Sequence, residues 1–102
     1  LSEIGRRLRY HPLFNSDVVA AADWYDERSP GLGDSFTTNV RLTVDAAHKD
    51  PVRHSPSPLG VYYYRVDRFP YYLLFDVSDR EILMLGVLHT SRSIPEWLKT
   101  RE

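Results

Sequence analysis

The chain contains no cysteine, which excludes both a disulfide staple and thiolate chemistry. That absence fits a reducing compartment, and the location expected is cytoplasmic. No apolar run approaches the roughly 18 residues of a membrane span. No signal peptide is visible, and no membrane partner is expected. Methionine is nearly missing as well: the sole one is Met84 and the chain begins at Leu1, so some residues are expected to precede it. Neither sign of charge is in excess, with 13 basic against 14 acidic residues and a formal net charge of -1. A protein held to nucleic acid by bulk charge is thereby excluded, and any such contact would have to be local. There is no phosphate-binding glycine loop and no nucleophile elbow. The histidines at 11, 48, 54 and 89 show no paired zinc spacing. No cofactor and no metal are expected.

What is present suits one small α+β domain over residues 1–102. Hydrophobic residues make up 42 % of the 102, enough for a modest core. Aromatics reach 13 %, with seven tyrosines, three of them consecutive at Tyr62, Tyr63 and Tyr64. Charge is unevenly distributed along the chain. Arg6, Arg7 and Arg9 cluster near the start, whereas Asp17, Asp23, Asp26 and Glu27 crowd the next segment.

The first half reads as helical. Leu1 to Leu8 is a solvent-facing arm or helical turn, and Arg9 to Phe14 a short extended segment, because Pro12 biases His11 away from helix. Asn15 and Ser16 offer N-cap oxygens, with Asp17 well placed for the helix dipole. From Val18 the apolar spacing is helical: Val18, Ala22 and Tyr25 share a face, with Ala21 and Trp24 beside it. Ser29-Pro30-Gly31 ends that helix. A second helix is predicted from about Leu32 to His48, with a stripe of Leu32, Phe36, Val40, Thr43 or Val44, and Ala47. Asp50-Pro51 stops it. The break between them is so short that the pair should fold as an antiparallel hairpin.

The second half changes period. "HSPSPLG" is a loop, and "VYYYRVDRF", "YYLLFDVS" and "EILMLGVLHT" are rich in aromatic and β-branched residues. Reversals at Phe69-Pro70 and Ser78-Asp79-Arg80 make these a three-stranded antiparallel meander. Ser93, with Glu96 three residues on, is a capping box that opens a short C-terminal helix.

Few residues here could carry chemistry. His89 ends the last strand, with Arg92 just beyond. Strict alternation puts His89 on a face with Leu83, Leu85 and Val87, at the rim of any core there. It serves either as a general acid or base beside a phosphate-binding arginine, or as a histidine that closes a strand end by hydrogen bonding. Arg65 and Arg68 fall on opposite faces of one strand, each able to grip a phosphate or merely to cover the sheet. The Tyr62–Tyr64 run either stacks on bases or supplies core, with at least one ring facing the helices. Trp24, Tyr25 and Trp97 read as packing anchors.

Four blocks in this order, "ADWYDERSPGLGDSF", "RFPYYLLFDV", "LMLGVLHTSR" and "IPEW", resemble the RelE/ParE toxin superfamily, and within it the ParE-type plasmid-stabilisation branch. The resemblance implies a strand, a helical hairpin, an antiparallel sheet and a short C-terminal helix. It implies the toxin of a type II toxin–antitoxin pair, bound by a cognate antitoxin as a dimer or heterotetramer. The target it implies is DNA gyrase for the ParE type, or messenger RNA on the ribosome for the RelE type. RelE-type cleavage needs a base, an acid and cations for the phosphorane. By resemblance these would be Arg65 or Arg68, His89 and Arg92. The only lysines, Lys49 and Lys99, lie near helix ends and no tyrosine follows His89, so that set is incomplete.

Overall fold

A computed structural model describes residues 5–102. The chain forms β1 (Arg7–Tyr10), α1 (Phe14–Arg28), α2 (Leu32–Lys49), β2 (Tyr62–Arg65), β3 (Tyr71–Val77), β4 (Glu81–His89) and α3 (Ile94–Leu98), closed by a 3-10 turn at Lys99–Arg101. No helix among the described residues is long and apolar enough to cross a membrane.

The first strand lies nearer the N-terminus than its sequence pattern implies. β1 is Arg7–Tyr10, and Phe14 already belongs to α1, because its ring is buried with Val18 and Ala21 on one helix face. Asn15 and Ser16 are therefore inside the first turn rather than capping it. Leu13 stands at the N-cap without a side-chain bond, and the Ser16 hydroxyl donates to its carbonyl at 2.9 Å. The expectation of an arm or helical turn over Leu1 to Leu8 lies partly outside the described residues; its last two, Arg7 and Leu8, are strand.

The two helices meet at the predicted elbow. Gly31 sits at φ 90° at the start of α2, a left-handed conformation that glycine adopts without a Cβ penalty. Gly33 is buried, and its N–H donates to the Asp26 carboxylate of α1 at 2.8 Å. That bond satisfies one of the orphan donors of a helix N-terminus. A Cβ at Gly33 would lie 2.5 Å from the Ala22 carbonyl oxygen, so the hairpin closes there with backbone against backbone. Beyond it the α2 stripe is as its spacing predicts, with Phe36, Val40, Thr43, Val44 and Ala47 buried.

The four strands make one sheet in the order β1-β4-β3-β2. The meander is antiparallel, as expected, but β1 pairs parallel with β4, Arg7 opposite Glu81 through Tyr10 opposite Met84. The sheet is thus mixed rather than purely antiparallel. Parallel pairing requires a crossover between the strands, and the helical hairpin lies within that connection. Ser78 closes the β3–β4 turn, its N–H donating to the Glu81 carbonyl at 2.9 Å.

Both sheet faces are covered. The helical hairpin packs on Leu73, Phe75, Ile82, Met84 and Val87, and Tyr62 and Tyr64 lie on that side. α3 covers Leu74, Leu85 and Leu88 on the other, with Tyr63 and Tyr72. The Tyr62–Tyr64 run thus divides between the two faces, as alternation requires.

One irregularity positions the functional residues. Leu74 pairs with Gly86 but Phe75 with Met84, so Leu85 is an extra residue on β4, a bulge that resets the alternation. Leu83 and Leu85 pack on the α3 side, whereas Val87 packs on the helical-hairpin side. His89 follows Val87, and the expectation that it shares a face with Leu83 and Leu85 is corrected by that inserted residue.

A candidate groove at the free end of β4

β1 ends opposite Met84, whose carbonyl accepts from the His11 N–H at 2.8 Å. The rest of β4 runs on without β1 and lines a groove of about 660 Å³ with α1 and α3. Its walls include Asp17, Trp24 and Tyr25 from α1, Tyr71 and His89 from the sheet, Arg92, and Trp97 from α3.

Arg101 contacts two residues of this lining, Asp17 and Trp97, and bonds to β4. Arg101 Nε donates to the Leu85 carbonyl at 2.9 Å, and a terminal nitrogen of the same side chain pairs with Asp17. The guanidinium carbon also stands 4.4 Å from the centroid of the Trp97 ring. These partners converge on Gly86, where a Cβ would come within 2.6 Å of the Trp97 ring and 3.0 Å of Arg101. Glycine in a strand interior often marks such a close approach, and this was the one signal in the sequence. Nothing in the residue pattern pointed to Arg101 or Asp17. The Ser93 cap of α3 is half a capping box: Ser93 Oγ accepts from the Glu96 N–H at 3.4 Å, while the Glu96 carboxylate pairs with Lys99 at 3.3 Å.

His89 is half-buried, its ring edge-on to Tyr71 with centroids 5.2 Å apart. Its Nδ1 accepts from the Ser91 N–H at 3.1 Å and lies 2.8 Å from the Ser91 hydroxyl. An Nδ1 that accepts an amide proton leaves the neutral ring with its own proton on Nε2. In that form the ring is prepared to donate a hydrogen bond from Nε2, not to take a proton there. The phenol of Tyr71 is pushed above its ordinary range by burial, with the charge of Arg92 pulling the other way. Tyr71 and Arg92 both line the groove.

Trp24, expected as a packing anchor, is half exposed on the rim. Arg28 lies over its ring at 3.5 Å, a cation–π contact that presents the indole rather than burying it. Tyr25 does pack, with ring centroids 5.5 Å from Phe36 and 4.9 Å from Phe69. Trp97 packs on the α3 side of the sheet, as expected.

The four residues singled out in the sequence do not converge. His89 and Arg92 share the groove. Arg65 lines a separate hollow, its Nε donating to the Phe69 carbonyl at 3.1 Å. Arg68 is not on a strand at all. It occupies the turn after β2 at φ 72°, beside Leu32, Ser35 and Asn39. The turn rotates it away from the Arg65 strand, which corrects the expectation that the two stand on opposite faces of one strand.

No curated protein matches the chain. Among solved structures, the chromosomal ParDE TA system from P. aeruginosa has the same fold, with a TM-score of 0.72 and 19 % identity over 82 % of this chain and 95 % of that one. The family described as ParE toxin of type II toxin-antitoxin system, parDE, matches residues 8–94, which include both helices of the hairpin, the whole sheet except Arg7, and the His89–Arg92 corner of the groove. The chain belongs to the ParE toxin family.

Proposed function

We propose that this toxin arrests growth by binding DNA gyrase rather than by cutting RNA, and that a cognate antitoxin neutralises it. The observation that carries this reading is the scatter of the catalytic candidates. Phosphoryl-transfer catalysis requires acid, base and cations within hydrogen-bond reach of one reacting group. Here His89 and Arg92 stand in one groove, Arg65 in another hollow and Arg68 in a third. What the groove does offer is a presented indole, a half-buried tyrosine and an exposed arginine, the residue types that dominate protein–protein contacts. The site of action is the cytoplasm, and the antitoxin complex is a dimer or heterotetramer. A plasmid-stabilising role follows from the same pairing.

A supercoiling assay with purified gyrase tests it. Inhibition that falls when Trp24 or Arg92 is replaced by alanine supports the reading, and gyrase untouched at micromolar toxin sinks it. The RelE-like reading, ribosome-dependent cleavage of messenger RNA, is favoured by one fact, that His89 and Arg92 share a groove. Cleavage by the wild type that His89→Ala and Arg92→Ala both abolish would establish it in place of gyrase binding. Expression without growth arrest, with an antitoxin still bound, would leave a non-toxic interaction domain.

A further inference from the structure

A second hollow, of about 790 Å³, opens on the α3 side of the sheet. Its floor holds Tyr63 of β2 and Tyr72 of β3, and its walls hold Arg53 and His54 from the loop after α2, with Arg65 at the end of β2. No Asp or Glu among the described residues lines it. Among the described residues, neither Arg53 nor Arg65 belongs to an ion pair.

The hollow is organised before any ligand arrives. Arg65 spends its Nε on the Phe69 carbonyl at 3.1 Å, which orients the guanidinium and leaves its two terminal nitrogens for an anion. The Tyr63 and Tyr72 rings lie 5.4 Å apart at 73°, so they meet a flat ligand from two directions. The loop that carries Arg53 is tied at both ends. The Tyr64 hydroxyl donates to the Asp50 carbonyl, the His54 ring rests on Tyr64 at 5.2 Å, and the Ser57 N–H donates to the Val61 carbonyl at 2.8 Å.

Two guanidiniums select a phosphate by bidentate hydrogen bonding. Paired tyrosine rings select a nucleobase by stacking, whatever its identity. An acidic peptide would use the cations but leave the rings idle, and inorganic phosphate likewise. We infer that this hollow binds a nucleotide, its phosphate between Arg53 and Arg65 and its base against Tyr63 and Tyr72. The nucleotide is either a free monophosphate or the 5′-terminal residue of a strand. This goes beyond the gyrase reading, which places its contacts in the other groove and can fail without touching this one.

Calorimetric titration of the full chain tests the inference with five probes: AMP, adenosine, inorganic phosphate, a 5′-phosphorylated trinucleotide and hexaglutamate. AMP should bind at least about tenfold tighter than adenosine, phosphate or hexaglutamate. Arg53→Gln and Arg65→Gln should each weaken AMP about tenfold, the loss of one charge-assisted pair. Arg53 is exposed on a loop, so its variant tests the site even if the Arg65 change disturbs the turn at Phe69. Tyr63→Leu should bring AMP toward the affinity of phosphate, whereas Arg80→Gln, on the distant β3–β4 turn, should change nothing. A trinucleotide that binds tighter than AMP identifies a strand end, and equal affinities identify a free nucleotide. Absence of AMP binding, hexaglutamate binding as tight as AMP, or AMP binding indifferent to Arg53→Gln would each overturn the inference.

Discussion

Removing the Asp17 carboxylate should loosen the end of the chain more than it unfolds the protein. Arg101 is 5 % exposed at its side chain and Asp17 20 %, so Asp17→Ala leaves a cation held away from water. Breaking a fully buried pair costs roughly 3–5 kcal/mol. Two features of the structure reduce that figure. Arg101 keeps the Leu85 carbonyl and the Trp97 ring, and the short helix and 3-10 turn that carry it can release by local opening. The expected loss is therefore about 2 kcal/mol, reached as α3 and the 3-10 turn release rather than as the core exposes itself. For a domain of this size that lowers Tm by about 8–16 °C if the release is coupled to global unfolding, and by less if it is not. Arg101→Ala should behave similarly, and the double variant should cost little more than either. Denaturant melts of the four proteins give the coupling energy, expected at about 1–2 kcal/mol. Amide exchange in Ile94–Leu98 should quicken in both single variants. A coupling near zero, with α3 protected as in the wild type, would refute the view that this pair latches the tail over Gly86.

Four further outcomes follow from particular contacts. Gly33→Ala should destabilise by about 1–3 kcal/mol in chemical denaturation despite the better helix propensity of alanine, because the added methyl meets the Ala22 backbone;. Phe36→Ala should cost about 3–5 kcal/mol, since that fully buried ring is surrounded by Tyr25, Phe69 and Tyr71; a loss below about 1 kcal/mol would deny it that central place. Tyr10, Tyr25, Tyr64 and Tyr71 all titrate above the ordinary phenol range, burial being the largest cause in each. Their neutral forms are the ones the fold favours, so stability should fall as pH rises from the ordinary phenol value of about 10 through the raised folded values. Because Arg92 pulls the Tyr71 phenol down, Arg92→Gln should move one transition of the ultraviolet phenolate titration upward; an unchanged profile would place Arg92 away from Tyr71.

Much of the architecture is legible in the sequence because it rests on local chemistry. The helical hairpin follows from a 3.6-residue apolar period broken by Ser29-Pro30-Gly31, and the meander follows from three aromatic and β-branched runs between turns. The family resemblance rests on the same blocks. Local rules misplace what depends on neighbours. Asn15 and Ser16 look like caps, yet burial of the Phe14 ring draws the helix start back past them. Trp24 looks like an anchor until α1 is rotated against the sheet, which leaves it half exposed.

The candidate site was legible only in fragments. That His89 and Arg92 lie close follows from three residues of chain; strand alternation alone already separates Arg65 from Arg68, but in the structure it is the turn at Arg68, with φ 72°, that parts them. Sequence periodicity settled the helical hairpin, the meander and the division of the tyrosines between two faces, since each is a property of adjacent residues. Only the tertiary structure decided that β1 joins β4 in parallel, that Leu85 bulges and turns His89 to the helical-hairpin side, and that Arg101 reaches Asp17 over Gly86. Each of these joins residues far apart in the chain or counts one strand against another, and no periodicity within a single segment encodes such a match.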